Sequence, residues 1–332
     1  MPHALFLDGP HGPAAIRPLD LDALPEGDVT VRVAYSSLNY KDALALTGKG
    51  KIVRGAFPFV PGIDLAGTVE ASESPDFAVG DEVILTGWGT GEARWGGLAT
   101  HARAQAKHLV RLPAGLSAFE AMALGTAGFT AMLAVLALDH MGFPDGAGGG
   151  ETGGGDVLVT GASGGVGSLA VHLLARAGHR VVASSGKDPA YLHRLGAAEV
   201  IGRDALGAGT HRALETGRWA GAVDTVGGAT LSAVLASMQT RASVAACGNA
   251  QSADLATTVY PFILRGVSLL GIDSNTCPAP LREAAWAALA ARIDPSLLAE
   301  IATTIRLDEV PAWAETLSNG QVRGRVVVDV QK

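Results

Sequence analysis

Hydrophobic and polar positions follow two different rhythms along the chain. Up to about residue 115 the period is two. Asp28–Ala34 alternates apolar and polar residues, as a half-buried strand does. Gly67–Ala71 and Asp81–Thr86 repeat the pattern, with Gly, Pro and Asp between the runs. This predicts a compact, barrel-like all-β domain. From about Ser117 the pattern becomes helical. Ala121–Leu138 carries no charge, is rich in Ala, Gly and Thr, and lacks a basic flank. Those features predict a buried core helix in preference to a membrane span.

Strands and helices then alternate. Val157–Thr160 predicts a buried strand, followed by a turn with Gly161, Gly164, Gly165 and Gly167, then a helix over Val166–Ala177 ending at Gly178. His179–Ser184 is the second strand of the series. Asp188 and Pro189 form an N-cap and N1 pair that opens a helix ending near Gly196. Glu199–Ile201, Ala222–Val226, Ala242–Cys247 and Val267–Gly271 are the third to sixth strands, with a helix through Met238 after the fourth. Such alternation gives a doubly wound parallel sheet. The tail from Arg282 holds a helix and then a β run, Gly324–Val330, expected to return to the first domain. The run Gly146–Gly155 reads as a flexible loop without chemistry of its own.

Composition narrows the class. With 332 residues, 48% apolar and 17% charged, the chain has room for two domains with large cores. A net charge of −7 argues against general nucleic-acid or membrane-surface binding. Cys247 and Cys277 have no zinc-ligand spacing around them and read as buried thiols. Free thiols without a signal peptide point to a cytoplasmic location.

The chemistry is concentrated in the glycine turn. Strand, glycine turn and helix bind a dinucleotide pyrophosphate, because the glycines admit the phosphates and the helix start offers free N–H groups. Ala162 lies within the turn where a glycine is usual. At the end of the second strand, Ser184-Ser185-Gly186-Lys187 lacks the carboxylate that would hold an NAD ribose. A hydroxyl and an ammonium stand there instead, which favours NADPH.

The order of parts resembles the medium-chain dehydrogenase/reductase superfamily over nearly the whole chain. Ser37–Asp42, Pro61–Asp64, Thr86–Glu92 with Trp95–Gly97, Gly125–Thr130 and Pro261–Arg265 are similar to its zinc-free acryloyl-CoA reductase branch, often labelled quinone oxidoreductase. The resemblance implies an α/β fold: a GroES-like β-barrel catalytic domain (1–124 and 273–332) and a doubly wound parallel-sheet Rossmann NADP-binding domain (125–272). The Cys and Gly-His-Glu of the zinc enzymes are absent from Asn39–Asp42 and Gly62–Asp64, so no metal is expected.

The resemblance also implies site residues. Tyr40 would lie beside the nicotinamide as the catalytic candidate, or be a packed aromatic. Ser163, Gly164, Gly165 and Val166 would touch the pyrophosphate. Ser185, Gly186, Lys187 and Arg203 would meet the 2′-phosphate, Arg203 otherwise being a surface charge. Thr126, Asn249, Ile263, Ser274 and Asn319 would line the rest of the cofactor cleft, and Asn319 could equally cap a helix. Asp42 reads as structural or substrate-orienting. Trp88 and Trp95 either wall the substrate or pack the β domain. Lys51, Arg54, Arg94, Arg323 and Arg325 are the candidates to meet an anionic CoA. The implied activity is NADPH-dependent reduction of a 2-enoyl-CoA thioester, most simply acryloyl-CoA to propanoyl-CoA. A quinone reductase and a non-catalytic NADPH-binding protein are the alternatives, and a homodimer is the expected assembly.

Overall fold

The structure, a computed structural model, describes residues 1–144, 155–206 and 211–332. The glycine run at 146–155 falls, apart from Gly155, outside the described residues. The chain divides into two compact units, Met1–Ala127 with Ser274–Lys332, and Gly128–Asp273.

The first unit contains strands β1 (His3–Leu7), β2 (Ala14–Pro18) and β3 (Val29–Leu38), helix α1 (Tyr40–Thr47), and strands β4 (Asp64–Ser72), β5 (Glu82–Thr86), β6 (His101–Ala104) and β7 (Val110–Arg111). Helix α2 (Ala118–Met141) follows and contains the boundary to the second unit. That unit holds β8 (Asp156–Val159), α3 (Gly165–Arg176), β9 (Val181–Ser184), α4 (Pro189–Arg194), β10 (Glu199–Ile201), β11 (Trp219–Asp224) and α5 (Gly228–Ala236). Then come β12 (Met238–Ala246), α6 (Tyr260–Arg265) and β13 (Ser268–Gly271). The tail returns to the first unit as α7 (Ala279–Arg292), α8 (Pro295–Ile301), β14 (Ala302–Arg306), α9 (Val310–Ser318) and β15 (Arg325–Asp329).

In the first unit the strand order is β14-β15-β3-β4-β5-β7, with β6 also on β3. Val29, Val31 and Val33 on β3 and Val326 and Val328 on β15 belong to its core. The returning strand is therefore structural: Val326 to Asp329 pair antiparallel with Leu38 to Tyr35. In the second unit the sheet is wholly parallel, in the order β10-β9-β8-β11-β12-β13. Leu158, Val182, Ala222 and Val244 build its interior. This is the doubly wound α/β arrangement expected, with β13 at the sheet edge.

Met238 departs from expectation. It opens β12 instead of ending a helix, because α5 stops at Ala236 and Met238 pairs with Trp219 across an irregular register. Helix α2 is long and apolar enough to cross a membrane by length and composition, yet 83% of its apolar window is buried within the protein. It kinks at Gly125 (φ 52°, ψ −157°), a backbone conformation essentially restricted to glycine.

Candidate active site

In the second unit, β8 ends in the glycine turn. Gly161 takes a positive φ of 59°, and Gly164 N–H donates to Gly161 O at 2.9 Å. A Cβ on Gly167 would reach to 2.7 Å from Ala162 Cα, so this glycine lets α3 start directly against the turn. Gly164 is the N-cap, and the first-turn N–H groups of α3 lack helical acceptors, as at every helix start. A pyrophosphate fits that cradle.

The expected adenosine-end residues meet beside it. Ser185 Oγ donates to Ser163 Oγ at 3.0 Å, joining the end of β9 to the glycine turn. Lys187 N–H donates to Ser185 Oγ at 3.1 Å. The guanidinium side of Arg203 lies over Gly186, where a Cβ would sit 3.4 Å from Nε. Asp188 accepts from Ala190 N–H and is thereby the N-cap of α4. Asn249 is exposed just past β12, and Ile263 stands 68% exposed on α6.

At the end of β11, buried Asp224 accepts from Thr160 Oγ1 (2.6 Å) and Gly227 N–H (2.7 Å). Burial raises its pKa. It also adds to the rise of the Cys247 thiol, which burial pushes up to about 12.

In the first unit, Tyr40 is the first residue of α1 and is exposed. Its position follows from a buried polar cluster directly beneath it. Asn39 caps the helix, its N–H donating to Asp42 Oδ2 at 2.9 Å. Asn39 Nδ2 donates to Asp64 Oδ2 at 2.8 Å, and Arg325 Nη1 donates to Asn39 Oδ1 at 3.1 Å. Asp64 further accepts from Ser37 Oγ (2.6 Å) and from Thr126 N–H and Oγ1 (2.8 and 2.5 Å). Arg325 Nε donates to Ala123 O at 2.9 Å. One cluster thus fixes Tyr40 on α1 and Thr126 after the kink in α2.

Asp42 has a structural role. Besides Asn39 it accepts from Ile63 N–H at 2.9 Å. Burial, aided by the nearby Asp64 charge and opposed by these donors, raises its pKa to about 7. Burial pulls the Arg325 guanidinium down, against the opposing pull of Asp64 and Asp42.

Arg325 therefore corrects an expectation. It is 4% exposed and belongs to this cluster, so it does not face a CoA in solution. Arg54 is exposed and paired with Glu92, which also takes Lys41 Nζ at 2.7 Å. Arg94 Nη1 donates to His108 Nδ1 at 3.1 Å. His108 has its pKa lowered to about 4, first by burial and then by Arg94.

The two tryptophans pack. Trp95 meets Phe6 edge-on at 5.4 Å, and Trp88 stacks on His108 at 4.8 Å. The glycine-rich loop carrying them is pinned from the tail. Trp88 N–H donates to Asn275 O at 2.9 Å, and buried Arg282 donates to Thr86 O (2.7 Å) and Ser274 O (3.0 Å). Ser274 lies in this junction. Asn319 is the C-cap of α9 and accepts from Lys49 Nζ at 3.0 Å.

Family models for the alcohol dehydrogenase GroES-like domain and for zinc-binding dehydrogenase match residues 25–114 and 165–291. The chain is 51% identical over 331 residues to the probable acrylyl-CoA reductase AcuI of Escherichia coli K12, covering 98% of this chain and 99% of that protein. The chain belongs to the medium-chain dehydrogenase/reductase superfamily, in its zinc-free quinone oxidoreductase-like branch. Acrylyl-CoA reductase AcuI of Ruegeria pomeroyi is 49% identical over 319 residues, 96% of this chain and 94% of that protein. Among solved structures of the superfamily, the YhdH oxidoreductase of Salmonella enterica in complex with NADP superposes with a TM-score of 0.93, at 50% identity over 99% of both chains.

The zinc members' name does not describe the residues here. Asn39 and Ile63 fall within the two motifs that carry zinc ligands elsewhere in the superfamily. Among the described residues no group of three or more His, Cys, Asp or Glu could hold a metal ion. Sequence reasoning missed Asp64 and Arg282 and gave Arg325 a surface role. Asp64 was visible only as the end of a motif lacking its His, and the two arginines carry no local signal of burial.

Proposed function

We infer that the protein is an NADPH-dependent 2-enoyl-CoA reductase that converts acryloyl-CoA to propanoyl-CoA. Near-full-length identity of about half to the acrylyl-CoA reductases carries this reading. The meeting of Ser163, Ser185, Gly186, Lys187 and Arg203 supports NADPH as cofactor. We assign most of the cofactor binding to the second unit, Gly128–Asp273, and substrate chemistry to the GroES-like first unit.

In this reading Gly164, Gly165 and Val166 present the start of α3 to the pyrophosphate. Ser185, Lys187 and Arg203 hold the 2′-phosphate. Asn249 and Ile263 are the remaining cofactor-binding candidates of the second unit, and Thr126, Ser274 and Asn319 those of the first. When bound, NADPH supplies a hydride to the β-carbon of the activated alkene. Tyr40 sets the reacting face, and its hydroxyl is available to the negative charge that builds on the thioester oxygen. A proton reaches the α-carbon from a side chain or water. Tyr40→Phe is expected to lower kcat about ten- to a thousandfold without abolishing it, since orientation survives.

The assembly we propose is a homodimer. Among the described residues, strand β13 is one of the two edges of the parallel sheet. The adjoining α6 segment exposes Val259 (61%), Tyr260 (48%), Ile263 (68%) and Leu264 (62%). An apolar face beside an unpaired strand edge suits a two-fold copy of itself.

The deciding assay compares acryloyl-CoA with simple quinones at saturating NADPH. Acryloyl-CoA is expected to give the higher kcat/KM and to exceed crotonyl-CoA. Efficient quinone turnover with acryloyl-CoA inert would falsify the enoyl-CoA reading and favour a quinone reductase. Tight NADPH binding without turnover of either would favour a binding protein.

A further inference from the structure

The first unit has a cleft of about 550 Å³ at the C-terminal end of α1, lined in part by Lys51, one of the basic residues expected to meet CoA. His11, Lys49 and Lys51 bring cationic and hydrogen-bonding groups to it, and Ile52, Val53 and Phe57 give it an apolar wall. Tyr40 begins the same helix, and eight residues of helix span about 12 Å. The cleft thus lies one short helix away from the proposed reacting centre.

Its charge departs from that of the chain. The whole sequence has 32 acidic against 25 basic residues. Residues 41–54 carry Lys41, Lys49, Lys51 and Arg54 against one acid, Asp42, which is buried in the cluster beneath Tyr40. Three of these cations are already committed. Lys41 and Arg54 share Glu92. Lys49 donates to Ser318 Oγ (2.8 Å), Asn319 Oδ1 (3.0 Å) and Glu315 (3.4 Å), which fixes the cleft floor against α9. Lys51 is exposed and makes no ion pair among the described residues. The His11 ring sits against Gly48, whose positive φ of 67° and lack of a side chain leave room for it.

An apolar wall beside an uncommitted ammonium and an imidazole fits an adenine ring carrying a phosphate. We propose that this cleft seats the 3′-phosphoadenosine end of the CoA substrate, with Lys51 on the phosphate and Ile52, Val53 and Phe57 against the base. This rests on the enoyl-CoA reading of the active site. The flexible pantetheine arm would then follow α1 back towards Tyr40. The 2′-phosphoadenosine of NADPH presents the same chemistry, so the test must separate the two.

The whole protein is assayed with acryloyl-CoA and with the acryloyl thioester of N-acetylcysteamine, which has the same reacting end and no nucleotide. Lys51→Glu is expected to raise KM for acryloyl-CoA about tenfold, the size of one lost charge-assisted hydrogen bond. The ratio of the two thioester KM values should move by the same factor, and Lys51→Arg should restore it. A ratio that stays at the wild-type value overturns the subsite. So does a rise in KM for NADPH in place of acryloyl-CoA, which would give the cleft to the cofactor. Wild-type protein that reduces neither thioester overturns the enoyl-CoA reading and the subsite with it, a result distinct from wild-type activity with a silent Lys51 substitution.

Discussion

At the scale of single residues, Gly125 shows how closely the polar cluster is built. A Cβ there would come 2.5 Å from Asp64 Oδ2, 2.7 Å from Arg325 Nη2 and 2.9 Å from Ser37 Oγ. Its φ of 52° with ψ of −157° adds backbone strain for any other residue. Gly125→Ala is therefore expected to cost roughly 2–4 kcal/mol, read as a lowered midpoint in urea unfolding. An unchanged midpoint would mean that the cluster tolerates a methyl group at its centre. Lys187 gives a prediction of a different kind. Lys187→Glu should weaken NADPH binding by about 1.5–3 kcal/mol and leave NADH binding nearly as it was, measured by cofactor fluorescence titration. A wild type that uses both cofactors equally well would refute the proposed role of the β9 end. Cys247 should resist alkylation. With its thiol pKa at about 12, thiolate is on the order of one part in ten thousand at pH 8, so iodoacetamide should label it slowly until the protein is unfolded.

Elements carry the next level of control, because α1 depends on what lies under its first turn. Asp42 closes that turn and has a pKa of about 7, above its ordinary 3.8. The native state therefore holds a proton that the unfolded chain releases between those values. Stability from this group is fully present below about pH 4, falls as pH rises towards 7, and is flat above. In Asp42→Asn that slope should vanish. The difference in unfolding free energy between wild type and variant is expected to change by about 1.4 kcal/mol per pH unit over pH 4–7, against the wild type as pH rises. Parallel curves for the two proteins would show that Asp42 is ionised throughout.

Sequence legibility also differs by element. Glu199–Ile201 and the Asp188 N-cap were readable because β-branched runs and an Asp-Pro pair act locally. The Asp64–Arg325 cluster was not. Asp64 collects donors 25, 27 and 62 positions away, and Arg325 reaches a carbonyl 202 positions away. Every residue of β15 from Arg325 to Asp329 is buried, so its arginine breaks no alternation that a reader could notice. Surface arginine and buried arginine look the same until the partners are folded around them. Trp88 and Trp95 were ambiguous for a related reason. Glycines flank them, yet the rings pack on His108 and Phe6, which are distant in sequence for Trp95 and modestly so for Trp88.

For the whole molecule, the proposed dimer is the property most open to a direct test. The β13 edge, which pairs with no further strand among the described residues, and the α6 segment together offer a backbone ladder and four large exposed apolar side chains. Left in water, such a surface invites association. A two-fold copy placed edge to edge would pair β13 with itself and bury Tyr260, Ile263 and Leu264 on both sides. Sedimentation equilibrium at micromolar concentration should then give about twice the 33.7 kDa chain mass. Ile263→Glu places a charge on each side of the axis, where like charges repel across a desolvated surface. That variant should shift the equilibrium towards monomer while keeping its far-UV circular dichroism. Ile263 is also a proposed cofactor-cleft residue, so the two roles separate by readout. Dimer loss with unchanged NADPH affinity assigns it to the interface alone, whereas weakened NADPH binding in a protein that remains dimeric assigns it to the cleft. A wild-type chain that sediments as a monomer would remove the edge-to-edge assembly.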